Sequence, residues 1–599
     1  MANTMKLGIN GGYVNYYASQ LAFKDLRKQS TFYWTATEVP YGGTPPSVFN
    51  TGDTFIPNDF KTDASGNPTN YTSSGNGLAM PAYTIARALM VYEIKAGEPF
   101  LYPSGIYHVF YEGKGTIRLA NDPGTIDHTV TGGPGSFSAL ITSPSRLGIR
   151  LDISSVDASA EPDYLRNISV VHDDDLDYKT NPFNQKMLDS LQELSDSDGG
   201  YFRAMDWHST NFDGGLVSYN TWSEPATPIQ LYWRVANSSW DDRVKPFHPH
   251  GEIGGSLEYS VKICNTINRN LWYCVPHTAT TDFITSAATY IKDNLNTNLS
   301  TVVEWGNEFW NTIFYSRAYC WSGAADPSVS GQYYAGLGSV GDGWSSADIR
   351  ALQRFGADKT KEAHKIFYEV FDTNASSRIH RTLGAHSANT WYTERMLQWS
   401  GVDSTGGVSA ALDSFATAPY FGNLGAGATA SGILGLGGVG PSSTEEILAA
   451  TDYEVTGTNG RVRQDVSDAM ALANKCNIDL YLYECGQHLL GVGGYTDNSV
   501  TPPVFINFNE ALLPQFSACN VDPQMGVLYN NYMNMLQDAG VSVACMYVAV
   551  LANSRYGLFG LQEYYNQDIR PKYDAILAWL YTQPAIFLNN VKYRLNINS

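Results

Sequence analysis

Two glutamates far apart in the chain stand where chemistry is expected. The segment 301–311 reads TVVEWGNEFWN, a β-rich run that ends at Asn307-Glu308 and continues into Phe309 and Trp310. The segment 478–488 reads IDLYLYECGQH. Period-two alternation puts Ile478, Leu480, Leu482 and Glu484 on one face of a strand, with Asp479, Tyr481 and Tyr483 on the other. An apolar face that ends in a carboxylate fits a barrel interior whose last residue emerges at the rim. Two converging carboxyls suit cleavage of a glycosidic bond. One must be protonated to donate to the leaving oxygen, and the other must be ionised to attack or to activate water. A separation of about 5–5.5 Å allows direct attack and retention of configuration. Either Glu alone is more simply a strand-end residue in a salt bridge. The pair points to Glu308 as general acid/base and Glu484 as nucleophile.

Such a pair needs a frame. Short apolar or β-branched runs alternate with helix-like stretches, the pattern of an α/β chain with a parallel sheet. The strand candidates are 6–10, 201–205, 271–275, 301–304, 379–385, 412–419, 478–484 and 541–550. Helical candidates between them are 184–194, 256–267, 281–294, 347–371, 445–450, 466–474 and 526–539. Eight parallel strands close a (β/α)8 TIM barrel, which carries chemistry at the C-terminal ends of its strands. The ends of strands four and seven then face each other across the mouth. About 190 residues separate the first two strands. In that interval 39–83 reads as loops rich in Gly, Pro, Asn, Ser and Thr. Runs at 107–112, 115–119, 138–142, 147–153 and 168–171 read as a small antiparallel β-sandwich that braces the barrel. The expected division is therefore 1–35 for the first barrel strand and helix and 36–170 for the loop-rich insertion. The rest of the barrel fills 171–585, with a tail at 586–599. The Gly-rich stretch 422–441 reads as a long loop on the top face.

Composition narrows the function. The chain has 599 residues, 43% hydrophobic and 16% charged, which supports a large core rather than disorder. Aromatics make up 13%, with 39 Tyr and 13 Trp, whose flat faces suit sugar rings as well as ordinary cores. A net charge of −20 repels phosphate backbones and anionic membranes, so no nucleic-acid partner is expected. No apolar run is long enough for a membrane span. Seven cysteines without CxxC or zinc-like spacing imply no disulfide framework. Cys264 and Cys274 could pair, but buried thiols fit better. The HPHGE cluster at 248–252 and the acidic run 172–177 read as polar loops, and neither a metal nor a cofactor is expected. The opening MANTMKLGIN has no apolar secretion core. The expected location is extracellular or virion- or surface-associated, reached by another route or after loss of a signal.

These motifs resemble clan A glycoside hydrolases, the cellulase- and mannanase-like retaining (β/α)8 enzymes, which carry Asn-Glu after strand four and Glu after strand seven. More narrowly, VVEWGNEFWN, YFRAMDWHSTN, LWYCVPH, ATAPYFG and LYECGQHL together resemble a bacterial group often labelled cellulose-binding or cellulase-like. LGINGGYVNYY and YPSGIYHVFYEGKGTIRL are similar to it too, so the resemblance runs from about residue 6 to 580. It implies that Asn307 bonds the sugar 2-hydroxyl and that His277 and Tyr420 line the cleavage subsite. It also implies that Tyr420 holds Glu484 ionised and that Arg203 places positive charge beside it. Each has a plainer alternative: Arg203 paired with Glu304 for structural reasons, His277 and Tyr420 as core packing. His488, within LYECGQHL, joins the candidate contacts. Clan members often carry a Trp after strand eight. This chain has CMYVAV, with Tyr547 there, which leaves Trp207, Trp222, Trp310 and Trp391 as alternative stacking platforms. Glu304 and Glu563 read as structural.

Two functions from different classes follow. One is an enzyme that cuts β-linked polysaccharide or oligosaccharide. The other is a glycan-binding or structural protein on the same scaffold, such as a phage tail component, and a virion depolymerase would join the two.

Overall fold

In the computed structural model, residues 5–582 are described apart from breaks, the longest being 37–84, 92–101, 157–165, 213–238 and 321–345. Eight strands close a barrel in chain order: β1 (Lys6–Asn10), β2 (Tyr201–Arg203), β3 (Asn270–Val275), β4 (Thr301–Trp305), β5 (Ile379–Gly384), β6 (Ser414–Thr417), β7 (Asp479–Cys485) and β8 (Val543–Met546). Every barrel pairing is parallel, including β8 to β1. This is the expected (β/α)8 architecture. The observed strands lie within a few residues of the runs read from sequence.

Helices return the chain to the bottom of the next strand. They include α1 (Gln185–Glu193), α2 (Leu257–Ile267), α3 (Thr281–Asn294), α4 (Ser346–Phe371), α5 (Thr390–Gly401), α6 (Thr444–Thr456), α7 (Arg461–Cys476) and α8 (Pro523–Ala539). Their ends are written locally. Ser443 and Glu446 form a reciprocal capping box at the start of α6. α2, α7 and α8 end on Asn268, Asn477 and Gly540 in the left-handed region. These residue types tolerate that conformation best, and the next strand follows within a few residues. Between β1 and the antiparallel sheets the described residues hold a 3-10 turn, Leu26–Gln29, and no α-helix.

Two antiparallel sheets lie between β1 and β2 in the chain. One has the order Trp34–Ala36, Ile85–Val91, Ile149–Val156, Gly115–Ala120, His128–Thr131. The other has Gly135–Ile141, Gly105–Glu112 and Arg166–His172. Met90, Leu119 and Leu151 from the first share a core with Val109, Ile141 and Val170 from the second. Three of these strands were not expected. Ile85–Val91 reads IARALMV, whose Ala, Leu and Met favour helix, so pairing with Ile149–Val156 overrides local propensity. The stretch 422–441, expected as loop, contains the helix Ala428–Ile433. All seven cysteines are thiols. The acidic run is met by Lys24, whose Nζ lies 2.5 Å from Asp177 and 3.9 Å from Asp175. Of the HPHGE segment, 248–249 and 252 lie outside the described residues.

The face assignment on β7 needs correction. Leu480 and Leu482 pack outward with the helices, whereas Tyr481 and Tyr483 face the barrel interior. The interior also holds Tyr201, Trp272, Cys274, Val302 and Cys545. Rings of this size fit a narrow barrel only where facing positions are small. A Cβ on Gly8 would stand 2.6 Å from Cys545 Sγ and 2.9 Å from Tyr201 Cβ. Gly8→Ala is therefore expected to destabilise the fold by about 1–3 kcal/mol through overpacking, read as a lower Tm or denaturation midpoint. An unchanged midpoint would show that the interior has slack.

Candidate active site

β4 ends at Trp305, and the chain then turns through Gly306 (φ 66°) to Glu308, which has φ 40°. A non-glycine residue in this region is uncommon and costs on the order of 1 kcal/mol or more. Two partners hold the displayed carboxylate. Tyr483 Oη lies 2.7 Å from Oε1, and Asn311 Nδ2 donates to Oε2 at 2.9 Å. Asn307, just before it, is buried; it accepts from Arg203 Nη2 at 2.8 Å and donates to Asn211 at 2.9 Å.

Glu484 reaches the mouth by a different device. On β7 the register against β8 shifts between Leu482 and Cys485, so the strand carries an extra residue there. A bulge of this kind re-aims a side chain that alternation would send elsewhere. Alternation places Tyr481 and Tyr483 inside and would turn Glu484 out among the helices. With the bulge, Tyr483 and Glu484 both face the site. Glu484 is buried, with Arg203 Nη1 2.9 Å from Oε1 and Tyr420 Oη 2.9 Å from Oε2.

Arg203, the last residue of β2, is fully buried. Its Nε and Nη2 donate to Glu304 Oε2 at 3.2 and 3.0 Å, and Nη1 also donates to Asn10 at 3.1 Å. It thus serves Glu304 and Glu484 together, joining the two roles that the sequence left as alternatives. Asp206 lies nearby and accepts from Tyr547 Oη at 2.6 Å. The Arg203 guanidinium pairs directly with Glu304 and Glu484, and its charge also acts on Asp206. Burial pushes Glu484 up to about 8; Arg203 pulls it down, Glu308 and Asp206 push it further up, and the Tyr420 hydrogen bond lowers it. Burial likewise pushes Asp206 up to about 6, against hydrogen bonds from Tyr547 and Tyr13.

Both glutamates line one cavity of about 880 Å³. Of the residues singled out from sequence, Asn307, Trp310, Trp391, Tyr420, His488 and Tyr547 line it too. Tyr547 follows β8, ahead of a cis peptide bond to Val548. Arg203, His277 and Trp207 do not line it. Arg203 acts from beneath. His277 is buried with its ring 5.5 Å from Tyr319. Trp207 is fully buried among Phe23, Phe183 and Phe202 at 5.7–6.4 Å. Trp222 lies outside the described residues. Sequence reasoning passed over Tyr483, Asn311, Asp206, His386 and Phe559. Two had a signal: Tyr483 adjoins Glu484, and Asn311 lies one helical turn beyond Glu308. Burial lowers His386 and His488, so both rings are neutral near pH 7.

The chain matches no protein-family model, and no curated protein matches it in sequence. Solved structures resemble it in shape. One is a 4-O-alpha-L-rhamnosyl-beta-D-glucuronidase from Fusarium oxysporum 12S, at 11% identity and TM-score 0.33, covering 65% of this chain and 64% of that one. Another is a glucosidase from Croceicoccus marinus, at 11% identity and TM-score 0.32, covering 66% and 63%. The chain thus spans just under two thirds of the length of each. A Bacteroidetes-affiliated GH5 cellulase is similar at 9% identity and TM-score 0.31, covering 67% and 86%. Likeness at this level carries nothing about chemistry, which has to be argued from the site.

The Asp206 carboxyl has a stability consequence. Its ordinary value is 3.8 and burial in the fold raises it to about 6, so the native state holds the proton more tightly. Its favourable contribution is complete below the ordinary value and is lost as pH rises through about 6. Asp206→Asn, which cannot ionise, is expected to gain stability relative to the parent between pH 4 and 6 and to hold that gain above. The size is on the order of 2–3 kcal/mol. Denaturation midpoints at several pH values measure it, and parallel pH curves for the two proteins would refute it.

Proposed function

We propose that the chain is a retaining glycoside hydrolase acting on β-linked polysaccharide or oligosaccharide, with Glu484 as nucleophile and Glu308 as general acid/base. One observation carries the assignment of roles: the partners of the two carboxylates differ in what they can do. Arg203 can only donate and stays charged, so Glu484 Oε1 at 2.9 Å must accept. Tyr483 can donate or accept, and the Asn311 amide can offer either its NH₂ or its oxygen. Glu308 thus has partners for both its protonated and its ionised form. Glu484 has an obligate cation, and the Tyr420 hydroxyl donates to its second oxygen; both favour the ionised form that attack requires and oppose the burial that raises its pKa.

In the first step a Glu484 oxygen attacks the anomeric carbon. The bond from that carbon to the leaving oxygen breaks, and Glu308 gives its proton to that oxygen. In the second step a water gives a proton to Glu308 while its oxygen bonds to the anomeric carbon, and the ester to Glu484 breaks. Asn307 lines the cavity, clamped between Arg203 and Asn211, and in this reading its amide meets the sugar 2-hydroxyl. Tyr547, anchored on Asp206, and Phe559, 5.3 Å from it, supply the wall that a single tryptophan would otherwise form.

Reducing-sugar release across a panel of β-glycans tests the reading. Glu484→Gln is expected to lose activity on every substrate, by about a thousand-fold or more. Glu308→Gln should lose about 10²–10⁴-fold on poor leaving groups and much less on activated aryl glycosides. Equal loss of Glu308→Gln activity on all leaving groups would remove its acid role. Binding without turnover by the parent would leave a glycan-binding protein.

A further inference from the structure

Each carboxylate of the pair has its own aromatic cluster. Beside Glu308, Trp310 packs on His386 and Tyr392, with ring centroids 6.2 Å apart in both contacts. Beside Glu484, the Tyr420 ring contacts His488 at 5.4 Å and Phe559 at 5.9 Å. Both clusters line the same cavity of about 880 Å³. That is near the top of the roughly 300–1,000 Å³ usual for a ligand pocket, so the space exceeds one small ring. Trp310 is held in place. A Cβ on Gly384 would stand 2.8 Å from Glu304 Oε1, so bare backbone there makes room for that carboxylate, while the indole edge lies at ordinary contact distance, 3.7 Å. The indole is half-buried and lies on the cavity wall.

We infer that the cluster of Trp310, His386 and Tyr392 is the platform for the leaving sugar, so that the site holds a ring on each side of the scissile bond of a β-linked oligosaccharide. This rests on the proposed roles of the two glutamates. The proton reaches the glycosidic oxygen from the Glu308 side, and that oxygen departs with the ring lying on that side. The ring bonded to Glu484 lies against the Tyr420 cluster. An indole face takes the C–H face of a sugar without needing charge, and neutral His386 adds a hydrogen-bonding ring nitrogen. After the first sugar leaves, the platform receives water or a second sugar. The hydroxyl of that molecule gives its proton to Glu308 and its oxygen bonds to the anomeric carbon as the Glu484 ester breaks. Occupancy by a sugar yields a longer chain instead of hydrolysis.

The test uses the full chain and its Trp310→Ala, Trp310→Phe and Phe559→Leu variants. Substrates are β-1,4-linked gluco-, manno- and xylo-oligosaccharides, together with the β-glycosyl fluoride of whichever sugar is turned over. Fluoride fills no platform and needs little proton assistance. Trp310→Ala is expected to lower kcat/KM on oligosaccharides about ten-fold more than on the fluoride. Trp310→Phe should recover most of that difference, and Phe559→Leu should lower both substrates alike. Thermal melts confirm that each variant is folded, and Trp310→Leu, which keeps apolar bulk without a flat ring face, carries the comparison should the Ala variant fail to fold. Equal losses on both substrates for Trp310→Ala, in a parent whose turnover needs Glu484, overturn the platform alone. Turnover that survives Glu484→Gln, or a parent inactive on every sugar, overturns the proposed chemistry and the platform with it.

Discussion

The site is organised around one buried guanidinium. Arg203 reaches Asn10 at the end of β1, Glu304 on β4, Asn307 beyond β4 and Glu484 on β7. Its plane also lies near the rings of Trp272 and Tyr483, at 5.7 and 5.0 Å. A lysine ammonium is a point charge and could not serve four directions from one position. The chain of dependence continues past the guanidinium. Asn10, which accepts from Arg203, donates its Nδ2 to the Tyr483 carbonyl at 2.9 Å and to the Met546 carbonyl at 3.2 Å. The Tyr483 carbonyl lies inside the register shift of β7, where ladder bonding is interrupted. Asn10 therefore satisfies a backbone acceptor that the bulge exposes, and Arg203 holds Asn10 in the orientation that does so. The same cation pairs with the carboxylate that the bulge presents. Breaking a buried pair of this kind costs about 3–5 kcal/mol, because the partner charge stays behind. Here the cost would fall on Glu304 and Glu484 together.

What was legible in the sequence follows from this. Strand positions were readable because burial on both faces makes barrel strands into apolar runs. Ser443, Asn268, Asn477 and Gly540 carry local helix-end signals, but the helix bounds read from sequence did not rest on them. The stretches 445–450 and 466–474 fell short of α6 and α7. The two glutamates were readable because they close β-rich runs. The orientation of β7 was not. Alternation assumes an unbroken ladder, and the bulge is a tertiary event between β7 and β8 with no local signature in LYLYECG. The same error hid Tyr483, which alternation placed on the wrong face although it touches Glu308. Trp207 and His277 were misjudged for another reason. Both follow strand ends, where barrel residues are expected to face the mouth, but Trp207 packs among Phe23, Phe183 and Phe202 and His277 against Tyr319, and neither lines the cavity. Gly255 leaves room for the Trp207 indole, since a Cβ on it would clash with Nε1 and its ring neighbours. No pattern in one segment reveals the hollow that a distant glycine makes for it.

The unusual features of the molecule fall on few residues. Glu308 sits at positive φ, Glu484 on a bulge, and Asp206 and Glu484 are both pushed up by burial. A fold selected for stability alone would remove each of these, because apolar substitutes for buried charge are often neutral or better. A site that only binds neutral sugar gains little from them, since exposed aromatics and amides suffice. What they have in common is proton placement. They create a dry pocket in which two carboxyls influence each other and have different partners, one facing a fixed cation and the other facing groups that can reverse their hydrogen bonds. Strain and desolvation concentrated at one point support a reading in which that point does chemistry. The particular asymmetry between Glu484 and Glu308 favours acid–nucleophile chemistry over binding.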